Sequence, residues 1–432
     1  MVQVFNYSGV RQILGSWNLL PDKWTEIPYH IALSLAGNPD YRIDDRALIG
    51  DFRFMDGGGL HLGWSSPFHY ADGYGSIAQE IARTFLDMGI RLSIFSRDYD
   101  PSHAGFGGFS LDEWEAKAFV PRQIVDRLRE PQDKCFYGVN MTWPRDVHRH
   151  PFVRGIGLTM FETTRPPSAW AEQMNKVRQI IVPCKQNKEA FEGIGVTTPI
   201  HVVPLGVAPE KWPFINRRGI KGLPFTFLMA AGLTYRKNPE GAAKAFVAAF
   251  PHEKDVRLIL KTRGEVTALG FRQWMSDLPQ DDRIEVICEE STPEQMYQHM
   301  AVADAFVFPS RGEGFGLTPV AAMATGLPVI VSDNSGMSEY CDPQYNYPIP
   351  CYEVPVPKAP SPAGYPMSFG DVGNWWEPDF YALVDTMRYV YHNQDEALKK
   401  GKKAAKWVRE KFSVERTCQG ILDVVMQDAK EE

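Results

Sequence analysis

Residues 303–332 read ADAFVFPSRGEGFGLTPVAAMATGLPVIVS. The order is a short apolar run, a glycine-rich loop carrying one acid, a helix of small residues starting near Pro319, and a second apolar run. Short apolar runs bounding a helical pattern are the mark of a βαβ unit in a buried parallel sheet. Gly312, Gly314 and Gly316 let the backbone approach a ligand closely, and the helix that follows aims its N–H groups into the same space. Alanines at 321, 322 and 324 let that helix lie tightly on its neighbours. A merely structural turn would hardly need an exposed Glu313 between three alternating glycines, so the loop is expected to hold a ligand.

The same alternation extends in both directions. Upstream come FTFLMAAG, a helix through PEGAAKAFVAAF, then VRLILKT, RIEVICE and a helix at PEQMYQHM. Earlier still, LHLGWSS, a glycine-containing loop, IAQEIARTFLDMG, IRLSIFS, RGIGLTMFE, RQIIVPC, a helix around Lys188 and HVVPLGV form another series. Residues 208–224, APEKWPFINRRGIKGLP, interrupt the pattern with prolines and no period, and are expected to be a linker. The chain is therefore expected to be α/β, with doubly wound domains at 1–207 and 225–412 facing a cleft. Residues 342–366 predict an ordered irregular crossing, and Pro378-Asp379 the opening of a helix. A further helix carries Lys399, Lys400, Lys402, Lys403, Lys406 and Arg409, most simply a solvated face. The first 55 residues show no clear period.

The 432 residues carry a net charge of −7, with 44% hydrophobic and 12% aromatic residues. Such a chain folds into more than one core and is not a disordered or low-complexity protein. A mildly acidic balance argues against a general coat for nucleic acid, which needs a broad basic face. The first residues lack a secretory pattern and no apolar run approaches about 18 residues, so a soluble cytoplasmic protein without a transmembrane segment is expected. The six cysteines show no CxxC pairing, which favours buried reduced thiols over a disulfide scaffold or zinc site.

Two smaller motifs invite other readings. Gly73-Tyr-Gly75-Ser-Ile-Ala78 fits the G-x-G-x-x-A form of a dinucleotide site, with Asp98 placed to take a ribose hydroxyl; this would make an NAD-dependent oxidoreductase. The spacing opposes it, because Ser65–Asp72 separate the strand from the first glycine. What remains is a helix start suited to an anion, with backbone N–H groups such as that of Gly75. Asp98 and Asp100 form a D-x-D of the kind that holds a divalent metal, a triplet common by chance.

At Glu313 and its surroundings the chain resembles the retaining glycosyltransferases of the GT-B fold, in particular glycosyltransferase family four, the glycosyl transferases group 1. The family pattern is close to EGFGLP-x-x-EAMA-x-G-x-PV. Glu313, Gly314, Phe315, Gly316, Leu317, Ala322, Met323, Ala324, Gly326, Pro328 and Val329 fall in register, while the second acid is replaced by Ala321. VVPLGV at 202–207, AAGLTYRKNPEGAAKAF at 230–246 and WWEPD at 375–379 resemble other family segments in the same order, the last resembling the start of the closing helices.

The resemblance implies two Rossmann-like domains around a central cleft, with the nucleotide-sugar donor on the C-terminal one, the acceptor on the N-terminal one, and residues 413–432 crossing back to the first domain. It implies transfer with retention, no required cofactor or metal, and a nucleotide-diphosphate sugar as co-substrate, with a UDP-sugar favoured. Arg236 and Lys237 would meet the diphosphate, helped by Gly75; Glu313 would hold sugar hydroxyls, with Gly314, Phe315, Gly316 and Leu317 around the donor. The missing acid at Ala321 leaves three outcomes: Glu339 substitutes, the donor binds more weakly, or the protein is an inactive nucleotide-sugar-binding relative. Glu162 would orient or deprotonate the acceptor hydroxyl, or else cap a helix before Pro166-Pro167. His148 and Arg145 are acceptor-side candidates or part of a solvated loop. A glycan or other glycoconjugate, lipid-linked ones included, is favoured as acceptor. A hydroxylated base of phage-type DNA, suggested by Arg145, Arg149, Arg154 and the basic helix, is less favoured.

Overall fold

Strands that are apolar at every position must be covered on both faces, and the chain meets this demand twice. The computed structural model describes residues 2–6, 12–14, 17–21, 23–27, 41–44, 61–68, 73–96, 120–129, 135–217, 223–232, 234–262, 275–357 and 371–429. One six-stranded sheet has the order Ile200–Val202, Gln179–Val182, Arg154–Leu158, Tyr137–Met141, His61–Ser66, Arg91–Ser96, with every neighbouring pair parallel. The second has the order Ile284–Cys288, Val256–Thr262, Phe225–Ala230, Ala305–Phe308, Val329–Ser332, Tyr347–Ile349, again all parallel. By position in the chain this second order is 3-2-1-4-5-6.

In each sheet the strand order reverses once. In the second sheet the reversal lies between Phe225–Ala230 and Ala305–Phe308; in the first it lies between His61–Ser66 and Tyr137–Met141. Loops leaving the carboxyl ends on either side of such a point diverge and leave a crevice for a ligand. This is why the loops after Ala230 and Phe308 matter most below.

Helices cover the faces as their small and apolar positions dictate. Leu317–Ala324 packs on Gln394–Lys411, and Ala321, Ala322 and Ala324 are all buried. Pro239–Ala249 packs on Phe380–His392, whose first turn is capped by Asp379 accepting from the Ala382 N–H at 2.8 Å. The last helix, Val414–Asp428, crosses to the first sheet and lies against Gly73–Asp87. Its end is fixed by a buried charge cluster: Asp428 faces Arg154 at 3.2 Å and Arg178 at 3.3 Å, and accepts from Gln179 at 3.1 Å. Residues 208–217 are held to the second domain, with Arg217 donating to the carbonyls of Met300 and Ala303.

Several expectations change. Tyr137–Met141, a strand central to the first sheet, had no place in the sequence pattern, because two glycine and asparagine positions dilute its apolar run. The helix opens at Asp379 as expected, and Trp375 and Trp376 before it lie on the strand Asn374–Pro378, which pairs antiparallel with Cys351–Pro355. The segment read as an irregular crossing therefore supplies an edge strand, Tyr347–Ile349, and half of a hairpin. Cys288 is exposed and Cys341 and Cys351 are half-buried, so burial of the thiols holds for Cys135, Cys184 and Cys418. The N-terminal segment contributes a three-stranded antiparallel sheet of Trp24–Ile27, Val2–Asn6 and Tyr41–Asp44. Among the described residues no helix is long and apolar enough to cross a membrane.

Candidate active site

The loop after Phe225–Ala230 is a compact cationic turn. Thr234 opens a one-turn helix at Tyr235–Lys237, with its side chain accepting from the Lys237 N–H. Asn238 then adopts φ 58° and caps Pro239–Ala249 by accepting from the Gly241 N–H at 3.1 Å. Asparagine tolerates this left-handed conformation and proline suits the first helical position. The result fixes Arg236 and Lys237 at the edge of the second sheet's crevice.

Across the reversal, the loop after Ala305–Phe308 brings Glu313 to these cations. Lys237 Nζ donates to both carboxylate oxygens at 2.6 Å, and Arg236 Nη1 lies 3.2 Å from Oε1. Ser310 donates to the same carboxylate at 2.6 Å, and the Glu313 N–H donates to Ser335 Oγ at 2.9 Å. Asn334 completes the frame by donating to the Ser310 carbonyl at 2.9 Å and accepting from Ser335. Glu313 is only 6% exposed, so the expectation of an exposed acid is corrected. Burial pushes its carboxyl upward, but Lys237 and Arg236 outweigh that and hold it below its ordinary value.

The first domain meets this cluster at Met160–Glu162. Asn187 pins Phe161, accepting from its N–H at 3.1 Å and donating to its carbonyl at 2.7 Å. Glu162 thereby faces the second domain, its Oε1 3.4 Å from Arg236 Nη2. The capping alternative fails for the helix Trp170–Met174, which starts at Ala169 with no side-chain cap. The alternating glycines explain how closely the walls meet. A Cβ on Gly312 would stand 2.4 Å from the Glu162 carbonyl oxygen, and one on Gly314 would stand 2.5 Å from Met160 Cγ. Gly316 caps the helix Leu317–Ala324 at φ 86°. Gly312 and Gly314 thus admit the other domain's chain, while Gly316 faces Tyr340 and Met337 of its own domain.

Glu313, Arg236, Lys237 and Glu162 are brought together; other candidates are not. Gly75 is buried in the first turn of Gly73–Asp87, and the neighbouring Tyr74 hydroxyl donates to the Met160 carbonyl at 3.3 Å. Six positions, 67–72, separate the strand His61–Ser66 from this helix, more than a dinucleotide fingerprint allows between its strand and first glycine. Phe315 turns its ring into the core against Tyr340 and Phe412, while Leu317 is half-buried at the helix start. Arg145 is exposed and pairs with Asp146 at 3.1 Å. His148 sits among Lys176, Arg149 and Asp146. Arg154 is buried against Asp428, which removes it from any surface for a polyanion. Ala321 is buried in its helix, and Glu339 accepts from the Lys185 N–H at 2.8 Å, capping a first-domain helix across the cleft. Asp98 and Asp100 lie outside the described residues. Among the described residues no three His, Cys, Asp or Glu side chains gather as a metal site.

Ser310, Asn334 and Ser335, which frame the acid, were not anticipated. The signal for Asn334 and Ser335 was the SDNSG segment at 332–336, after a buried strand at the same end of the sheet.

Residues 210–352 match the family model described as glycosyl transferases group 1. The chain is 32% identical over 109 residues to the lipopolysaccharide core biosynthesis mannosyltransferase of Rhizobium meliloti, covering 24% of this chain and 30% of that one. It is 29% identical over 212 residues to the glycogen synthase of Mycobacterium tuberculosis, covering 47% and 49%. The chain thus spans from under a third to about half of these curated relatives. In three dimensions it resembles the Anabaena protein HepE, solved in complex with UDP-glucose, with a TM-score of 0.60, 13% identity and coverage of 85% and 100%. None of these similarities points to an oxidoreductase. The chain has the GT-B fold, and its residues 210–352 are similar to the glycosyl transferases group 1.

Proposed function

We propose that this protein is a retaining glycosyltransferase that works without a metal ion, moving a sugar from a nucleotide-diphosphate sugar, with UDP favoured as the nucleotide, to a hydroxyl acceptor. The observation that carries the proposal is the meeting of Glu313, Arg236 and Lys237 at the reversal point of the second sheet, with Glu162 reaching them from the first. The similarity to a protein solved with UDP-glucose supports the choice of donor.

When the bond between the anomeric carbon and the diphosphate breaks, its electron pair stays on the leaving phosphate. Arg236 and Lys237 are placed to stabilise that charge, doing by charge-assisted hydrogen bonds what a divalent ion does elsewhere. Glu313 orients the sugar hydroxyls and favours the cationic ring. The acceptor oxygen forms the new bond on the same face and its proton passes to the leaving phosphate, with Glu162 orienting the hydroxyl. A diphosphate entering this site competes with Glu162 and Glu313 for Arg236 and Lys237. A glycan or glycoconjugate is the favoured acceptor; the burial of Arg154 lowers the case for DNA.

A screen of sugar nucleotides for diphosphate release, in EDTA and with saccharide and glycoconjugate acceptors, tests the proposal. Release from a UDP-sugar is expected to persist in EDTA and to fall by about 10²–10³ in Glu313→Gln, the scale of losing one preorganised electrostatic contact. Full activity in that variant, or a strict requirement for Mn²⁺, would overturn it.

A further inference from the structure

Arg311 lies two residues before Glu313 and is 8% exposed, so its charge must be met inside the protein. Its guanidinium forks onto Glu377, with Nη2 2.9 Å from Oε1 and Nε facing Oε2. Nη1 donates to the Tyr235 carbonyl, and the guanidinium carbon lies 3.8 Å from the centre of the Tyr235 ring. The backbone repeats the pattern: the Arg311 N–H donates to the Arg236 carbonyl at 2.7 Å, and the Arg311 carbonyl accepts from the Trp376 N–H at 2.9 Å. One residue therefore joins the cationic turn, the acid loop and the hairpin strand Asn374–Pro378.

That hairpin also reaches the other domain. Thr163 Oγ1 donates to the Val372 carbonyl at 2.6 Å, the Thr164 N–H donates to the Asn374 carbonyl at 3.1 Å, and the Asn374 N–H donates to Thr164 Oγ1 at 2.8 Å. Thr163 and Thr164 directly follow Glu162. Trp375 closes the inner side, its ring 3.3 Å from where a Cβ on Gly312 would stand.

We propose that Arg311 is a positioning residue of the donor site: through it, the hairpin that straps the two domains together sets the orientation of the Arg236–Lys237 turn. The planar fork presents its donors to both carboxylate oxygens and the backbone carbonyl in a fixed geometry that lysine's compact ammonium does not reproduce. The inference rests on the glycosyltransferase reading, since the turn matters as the seat of the diphosphate.

The experiment measures UDP inhibition, donor KM and kcat, with the thermal midpoint and the fraction of active sites, in the full chain and in Arg311→Lys and Arg311→Ala. Both variants are expected to weaken UDP and raise donor KM by roughly tenfold or more, the scale of losing a charge-assisted hydrogen bond. Glu377→Gln keeps the side-chain shape and is expected to move the same constants in the same direction by a smaller factor. It keeps the test decisive if the Arg311 variants fold poorly. A merely structural role would lower the midpoint and the active fraction while leaving UDP inhibition and donor KM of the remaining enzyme unchanged; that result overturns the inference. Wild-type protein that neither binds UDP nor turns over any sugar nucleotide would overturn the glycosyltransferase reading itself, and this inference with it.

Discussion

The two walls of the cleft are built on different physical terms. In the second domain the acid is buried and cross-linked: Glu313 is held by Lys237, Arg236 and Ser310 and framed by Ser335. In the first domain Glu162 retains 19% of its side-chain exposure. Two residues earlier, Met160 faces Gly314, and its carbonyl accepts from Tyr74, whose ring stacks on Trp143 with centres 6.4 Å apart. A buried ion pair is costly to break because the remaining charge is left without solvent. A longer pair at a partly open edge, such as Glu162 with Arg236 at 3.4 Å, loses less, since water can take the place of the partner. The second wall should therefore tolerate few changes, while the first is free to differ with the acceptor.

Removing one charge from each wall is the strongest way to break this contrast. Lys237→Ala leaves the buried Glu313 with Arg236 as its one remaining cation beside the Ser310 hydroxyl, and is expected to cost about 3 kcal/mol of folding stability. Glu162→Gln is expected to cost under about 1 kcal/mol. That second variant should also bind UDP more tightly while transferring sugar more slowly, because the phosphate then competes with one carboxylate fewer for Arg236. Denaturant unfolding and UDP titration of the two variants give the answer. Equal destabilisation by both would show that the walls are not different in kind.

The alternating glycines sharpen the comparison at a smaller scale. An alanine at 312 meets the backbone oxygen of Glu162, which cannot swing aside, whereas one at 314 meets the flexible side chain of Met160. Gly312→Ala is expected to cost about 1–3 kcal/mol, as overpacking does, and Gly314→Ala clearly less. Gly312→Ala should also raise donor KM, because the Gly312 carbonyl accepts from Arg236 and shifting that loop displaces the guanidinium. Unfolding midpoints and donor KM in the two variants would measure this; a reversed order would mean that the contact between the walls yields more easily than the chain around Met160.

Most of the second domain could be read from the chain, and for one reason. Its strands are apolar at nearly every position and its loops are punctuated by Gly, Pro and Asn, so pattern and turn chemistry agree. Glu313, Arg236 and Lys237 followed from that order once the family pattern was in register. Tyr137–Met141 escaped because Gly138 and Asn140 break its apolar run, although Asn140 is there to donate to the loop carbonyls of Val147 and Arg149. Trp375 and Trp376 escaped because a hairpin strand needs a partner far away in the chain, here Cys351–Pro355. Arg311 stood inside the most closely read segment and carried no signal of its own. Its role depends on Glu377 and on the Tyr235 carbonyl, each about seventy residues away, and such convergence is visible only in three dimensions.

The smallest expected effect concerns His148, placed on the first wall by the sequence and found beside Lys176 and Arg149. Burial, with those two cations adding to it, pushes the imidazole down from 6.5 to about 4, while Asp146 and the Arg145 backbone pull weakly the other way. The folded-state value is therefore below the unfolded one. Above pH 6.5 neither state holds the proton and His148 contributes no pH dependence. As pH falls below 6.5 the unfolded chain takes the proton first, so stability declines down to about pH 4, where the folded state takes it too. His148→Gln removes this source, and its unfolding midpoint should fall less than that of the wild type between pH 7 and pH 4.5. Parallel decline in the two proteins would mean that His148 is hydrated enough to titrate normally, and would return it to the list of groups free to meet an acceptor.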